Sequence, residues 1–239
     1  MASNGEAKII LYTNHRCPWA HRAHIALAEL KLPFEEVIIP LDRPRDPWYL
    51  EVNPRGLVPS LSYDGEIITE SAVVSQFLAD AHPSSSSRLL PASDAPGGAL
   101  RRARVAFFVD AYMTKVHAVV AQLLSARSDE QAEAVAQAAV AAVAKEVEPL
   151  LRDARPFFGG SEELTLAEVL TGSFIVRLLA VGGAGVYPES LLAGLKEKAP
   201  NSYRWAEAVA AHPSVTNIFD PELTVEVAKS RLARARGQA

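Results

Sequence analysis

The stretch Asn14-His15-Arg16-Cys17-Pro18-Trp19-Ala20-His21-Arg22 holds the single cysteine of the chain. A thiol can act as a nucleophile or exchange disulfides. Residues 8–13 before it are β-branched and apolar, and of strand length. After it Ala23, Ile25, Ala26, Leu27, Ala28 and Leu30 recur at helical spacing, and Pro18 suits the first turn of that helix. Cys17 is therefore expected at a helix N-terminus, where unpaired backbone N–H groups and the positive end of the helix dipole favour thiolate over thiol. Arg16 and Arg22 add positive charge; His21, one turn on, reads as a solvated histidine, with added charge when protonated as the alternative. The alternative for Cys17 is a small buried hydrophobe, against which the flanking charges argue. One cysteine excludes an internal disulfide and a cysteine-rich zinc site, and no metal is expected. Any redox chemistry must borrow a second thiol.

The elements that must position this thiol follow from the rest of the chain. Its 239 residues are 49% hydrophobic and 22% charged, the composition of a globular protein with room for two modest domains. A net charge of -4 gives no general attraction to nucleic acid or anionic membrane. The first residues lack the basic and apolar regions of a secretory leader, the last are no familiar retention or peroxisomal signal, and an unpaired reactive thiol suits a reducing compartment. A cytoplasmic location is expected. The small-apolar run at 134–144 falls well short of the roughly 20 residues that span a bilayer.

Residues 34–39 read as a second strand after the first helix, making a βαβ unit with a parallel pair. Residues 40–47 are polar and proline-broken, and Trp48, Tyr49, Leu50 and Val52 allow a short helix before Asn53-Pro54. Residues 60–63 and 66–69 flank Asp64-Gly65, the pattern of a two-residue hairpin. Pro59 cannot donate to a ladder and so belongs at a strand's start or edge. A helix follows from Glu70-Ser71 to His82-Pro83. The fold class expected is a thioredoxin-like half, βαβ then ββα, at 1–83, a serine, proline and glycine linker at 84–98, and an all-helical half at 99–239. In that second half helical patterns cover 100–125, 129–154, 166–180, two stretches around Pro200 within 188–211, and a last helix from Pro221. Thr165-Leu166-Ala167-Glu168 is a capping-box pattern.

Cys-Pro-Trp-Ala-His-Arg at 17–22, Asn-Pro-Arg-Gly-Leu-Val-Pro at 53–59 and Ile-Ile-Thr-Glu-Ser-Ala at 67–72, in this order and ahead of an all-helical half, resemble the glutathione transferases, and most of all their omega class. Phe157-Phe158-Gly159-Gly160 and the capping box carry the resemblance into the second half, where the family usually has Asp at the position of Glu168. The resemblance implies a cis bond before Pro59, which turns the backbone of Val58 toward the cysteinyl part of glutathione. It implies that Ser71 and exposed helix amides hold the γ-glutamyl carboxylate and Glu70 its amino group. An ordinary helix cap is the alternative for Glu70-Ser71. Arg45, with Arg43 as the fallback, falls where omega members meet the glycyl carboxylate with a lysine, and Pro18 belongs to the glutathione-binding set. Tyr12 reads as packing.

Position 20 is Ala20, so no second cysteine can resolve a mixed disulfide within the chain. The reading is a monothiol mechanism in which Cys17 takes glutathione from a small-molecule or protein disulfide and a second glutathione regenerates it. The implied activities are thiol transfer and dehydroascorbate reduction. Conventional conjugation to electrophiles, a cysteine-dependent dehalogenase or isomerase, and a non-enzymatic module akin to chloride intracellular channel proteins are the alternatives. The acceptor pocket is expected between the halves, near Tyr112 and Phe219, and a homodimer is implied by the family.

Overall fold

Burial alternates along β1 (Ile9–Thr13), with Ile9, Leu11 and Thr13 inward and Ile10 and Tyr12 half-buried, the two-residue period of a strand. In the computed structural model, which describes residues 7–83 and 89–238, β1 pairs in parallel with β2 (Glu35–Ile38) across the helix α1 (Pro18–Glu29). It also pairs antiparallel with β3 (Ser60–Tyr63), which pairs with β4 (Glu66–Thr69), so the sheet order is β2-β1-β3-β4. Leu61 stands opposite Leu11 on one side and Ile68 on the other. Asp64 and Gly65 turn the hairpin at φ 51° and 92°, both positive as the favoured two-residue turn requires. A short α2 (Pro47–Val52) follows β2, and α3 (Ser71–Ala81) closes this thioredoxin-like half. Alanines 20, 23 and 26, all fully buried, let α1 lie close on its neighbours.

The second half is all-helical. Beyond α4 (Gly98–Ala111) the helix continues through a π-helical turn at Tyr112–His117, α5 (Ala118–Val120) and a 3₁₀ end at Ala121–Ser125. Likewise α6 (Asp129–Ala142) widens into a π-helical turn at Val143–Val147 and a 3₁₀ turn at Glu148–Leu151. Pro149 has no N–H and its ring crowds the carbonyl four residues back, which accounts for the loss of regular pitch ahead of it. Four more helices follow, α7 (Leu166–Gly183), α8 (Glu189–Lys198), α9 (Pro200–Ala211) and α11 (Pro221–Ala235), with a one-turn α10 (Pro213–Thr216) before the last. That one-turn helix escapes the sequence reading. The expected linker falls partly, at 84–88, outside the described residues, as do residues 1–6.

Helix α7 is the axis of this half. Its 18 residues are long and apolar enough to cross a membrane, but 72% of the helix is buried inside the protein, the condition of a core helix. Gly172 lets it pack tightly, because a Cβ there would meet Val209 at 3.2 Å, Val215 at 3.3 Å and Ile25 of α1 at 3.7 Å. At its N-terminus the expected capping box is present. Glu168 Oε2 accepts from the Thr165 N–H at 2.9 Å and hydroxyl at 2.7 Å, while Oε1 accepts from the Phe158 N–H at 2.8 Å and the Trp205 indole at 2.7 Å.

Candidate functional site around Cys17

Cys17 is the N-cap residue of α1, with Pro18 in the first turn. The loop that carries it is held from both sides. The Cys17 N–H donates to the Asn14 carbonyl at 3.0 Å, and the Asn14 amide donates to the Ile39 carbonyl at 3.0 Å. The thiol makes no cap bond to its own helix; it lies half-buried and points across to the Val58 carbonyl at 3.9 Å. The Val58–Pro59 bond is cis, and Pro59 immediately precedes β3, the strand-start position its missing donor demands. Asn53 and Tyr49 both bond the Leu57 carbonyl and the Ser60 hydroxyl, so the segment that presents Val58 is anchored to α2. Tyr12 packs on Trp48 and Tyr49 with ring centres 6.2 and 5.8 Å away, the packing role expected of it.

Glu70 and Ser71 stand where β4 meets α3. Glu70 is held at φ 68°, a left-handed conformation that costs a non-glycine residue of order 1–3 kcal/mol and tends to occur where a site needs it. Its carboxylate pairs with Arg55, both side chains being exposed. Ser71 begins the helix and is buried; its hydroxyl accepts from Arg22 Nη1 at 3.2 Å. Arg22 is itself buried, donating from Nε to the Leu170 carbonyl at 2.7 Å and lying over Trp19 and Phe174 at 4.7 and 4.9 Å. Loss of hydration lowers its pKa to about 10, and among the described residues no carboxylate lies within ion-pair distance of it.

Arg45 spends most of its fork on its own loop, donating from Nε to the Gly56 carbonyl at 2.9 Å and from Nη1 to the carbonyls of Pro40 and Arg43 at 2.5 and 3.0 Å. Among the described residues Nη2 alone of its donors has no hydrogen-bond partner. Gly56 sits at φ 62°, and a Cβ there would press on Arg45 Cγ at 3.1 Å. Arg43 pairs instead with Asp46 at 3.1 Å.

The helical half contributes a residue the sequence reading missed. Arg177 of α7 donates to His21 Nδ1 at 3.0 Å, to the Ser173 carbonyl at 2.8 Å and to the His15 carbonyl at 3.3 Å. It lies over Phe219 at 5.4 Å. Burial lowers its pKa to about 10, and the negative charge of a Cys17 thiolate opposes that shift. Nothing local in the sequence signals a contact across 156 residues. The same contact sets aside both readings of His21, a solvated side chain and an added positive charge. His21 is fully buried, and loss of hydration, then the Arg177 charge, lower its pKa to about 3, so it is neutral and orients Arg177. A cavity of about 550 Å³ opens beside Cys17 between the halves, bounded by Pro18, Trp19, Tyr112, Phe174, Arg177 and Leu223. This is the expected place for an acceptor, although Phe219 backs Arg177 rather than lining the cavity.

Residues 16–81 match the sequence family described as glutathione S-transferase, N-terminal domain. Over 77 residues the chain is 39% identical to a probable glutathione transferase omega-2 of Caenorhabditis elegans, a match covering 31% of this chain and 30% of that one. It is 28% identical to rat glutathione S-transferase omega-1 over 74% of this chain and 69% of the rat protein. The matches to the first curated relatives are local, spanning 26–31% of their lengths. Among solved structures, glutathione transferase Omega 2C of Trametes versicolor superposes with a TM-score of 0.80 at 26% identity, over 95% of this chain and 99% of that one. Rice GST1 in complex with glutathione does so with a TM-score of 0.80 at 26% identity, over 96% and 98%.

Proposed function

We propose, for a chain that belongs to the glutathione transferase superfamily and is omega-like, that it is a glutathione-dependent thiol transferase and dehydroascorbate reductase working through Cys17 alone. The observation that carries this reading is the Cys17 thiol at the head of α1, 3.9 Å from the Val58 carbonyl. In the proposed pose the backbone of Val58, ahead of Pro59, pairs with the cysteinyl part of glutathione and lays its sulfur against Cys17 beside Pro18. The γ-glutamyl carboxylate meets Ser71 and the first amides of α3, and Arg22 behind Ser71 supplies the positive charge that the carboxylate lacks elsewhere. Glu70 takes the amino group, exchanging its exposed pairing with Arg55 for it, and Arg45 offers Nη2 to the glycyl carboxylate.

The chemistry is two disulfide exchanges. The Cys17 thiolate attacks the glutathione sulfur of a mixed disulfide, the S–S bond breaks, and the substrate leaves as a thiolate that takes up a proton. Cys17 is then joined to glutathione, and a second glutathione thiolate attacks that sulfur, releasing oxidised glutathione and the free enzyme thiolate. Two glutathiones likewise supply the two electrons and two protons that turn dehydroascorbate into ascorbate. Arg177 places a cation toward the thiolate and, through the His15 carbonyl, holds the loop that carries it. The reaction fits a reducing cytoplasm, and a dimer of the family kind is part of the proposal. The test is glutathione-dependent reduction of a small mixed disulfide by wild type and Cys17→Ser, with conjugation of an aromatic electrophile run on both. Reduction should fall at least about a hundredfold in the variant beside weak conjugation in both; conjugation that persists with no reduction in wild type would overturn the reading.

A further inference from the structure

The β1–α1 loop, the second turn of α1 and the edge strand β2 bring together three side chains that disulfide exchange does not use. His15 Nε2 lies 2.5 Å from Glu36 Oε1, and His24 Nε2 lies 3.5 Å from the same oxygen. One donor atom from each of the three falls within 4.8 Å of the others. The imidazoles meet edge to face with centres 5.3 Å apart. His24 is 2% exposed, whereas the side chains of His15 and Glu36 are 45% and 32% exposed. One donor thus sits in the core, its ring held by the Phe34 ring edge-on at 5.8 Å, and its Nε2, 2.8 Å from Thr13 Oγ1, would exchange that contact for an ion. The other two are free to close over it from the solvent side.

We propose that His15, His24 and Glu36 form a binding site for a divalent transition metal, zinc in the first instance, with the remaining position open to water. Two imidazoles and one carboxylate are a donor set that zinc takes. Donors about 2.0–2.2 Å from a common tetrahedral ion stand roughly 3.3 Å apart; the His24–Glu36 separation of 3.5 Å already suits this. The pair of His15 and Glu36 needs only to open by a small turn of two exposed side chains. A plain surface pair of His15 and Glu36 would need no third, buried imidazole turned to the same oxygen. An ion there would clamp β2 to the loop that carries Cys17.

The experiment uses the full chain, as wild type and as Cys17→Ser so that a thiolate cannot supply the ligand. After chelator treatment, each is titrated with zinc chloride in competition with a chromophoric chelator, and with cobalt(II) read by its visible absorption. One equivalent should bind to both proteins, and cobalt should give the bands of a tetrahedral or five-coordinate site in Cys17→Ser. His15→Ala and Glu36→Gln should each weaken binding at least about tenfold while the far-UV spectrum and urea midpoint stay at wild-type values, since both side chains are exposed. Absence of stoichiometric binding, binding that both substitutions leave unchanged, or binding that Cys17→Ser abolishes would each overturn the site.

Discussion

Glu168 and Arg22 are both buried, at 0% and 3% exposure, yet one is ringed by partners of complementary chemistry and the other meets no acid among the described residues. Glu168 accepts four hydrogen bonds, from two backbone amides, a hydroxyl and an indole, all supplied by the helical half. Its desolvation is offset within the fold, and its work is to join the start of α7 to α9. Arg22 donates to a carbonyl, a hydroxyl and the Met113 sulfur and rests on two aromatic rings, partners that a cation accepts without being neutralised. Arg177, nearby at the same junction of the halves, is held the same way. Glu168 has its charge met by neutral donors around it, whereas at the junction Arg22 has no carboxylate within ion-pair distance among the described residues.

The largest expected effect separates the two regions by stability. Glu168→Ala strands the Trp205 indole, the Phe158 amide and the Thr165 amide, and should cost about 3–5 kcal/mol in urea unfolding; a loss under about 1 kcal/mol would remove the contrast. Acid comes next and should act on α1, which carries both His21 and His24. His21 and His24 have folded pKa values of about 3 and 4, lowered first by burial, against an ordinary 6.5. The unfolded chain therefore binds more protons below pH 6.5, so stability is full above that value and drains as pH falls toward 4. At pH 5 the loss should approach about 2 kcal/mol per histidine. Hydrogen exchange should show the α1 amides opening before those of Phe158 and Thr165, and equal stability at pH 7 and pH 5 would contradict this. The smallest effect on stability is expected for Arg22→Met. Replacing a buried, unneutralised cation with an apolar chain of similar length should change unfolding by no more than about 1 kcal/mol. The same change should weaken glutathione binding, read by calorimetry, about tenfold. A variant as unstable as Glu168→Ala with unaltered glutathione affinity would place Arg22 with Glu168 as a purely structural group.

The hairpin at Asp64-Gly65, the start of α1 at Cys17-Pro18 and the capping box at Thr165-Glu168 are local events, decided within a few residues by turn chemistry, a missing amide proton or a side chain reaching its own helix end. Such features are legible in a sequence because the interacting groups are neighbours along it. The bond from Trp205 to Glu168 spans 37 residues and that from Arg177 to His21 spans 156. No periodicity announces either. His21 shows the limit of a reading without burial, since beside two arginines in sequence it looks solvated and in the fold it is buried and neutral.

The order of strands and helices along the chain, the lone thiol at a helix head, Pro59 at the start of a strand and the helix start at Ser71 were all legible in the amino-acid sequence, because each rests on short-range backbone chemistry. Only the tertiary structure decided that Arg22 backs Ser71, that Arg177 reaches across from the other half to the Cys17 loop, that Arg45 turns most of its fork inward, and that His15, His24 and Glu36 converge. Those outcomes depend on which groups lose their water together when the two halves and the edge strand pack, and the free energy of a buried charge is set by the neighbours that packing supplies.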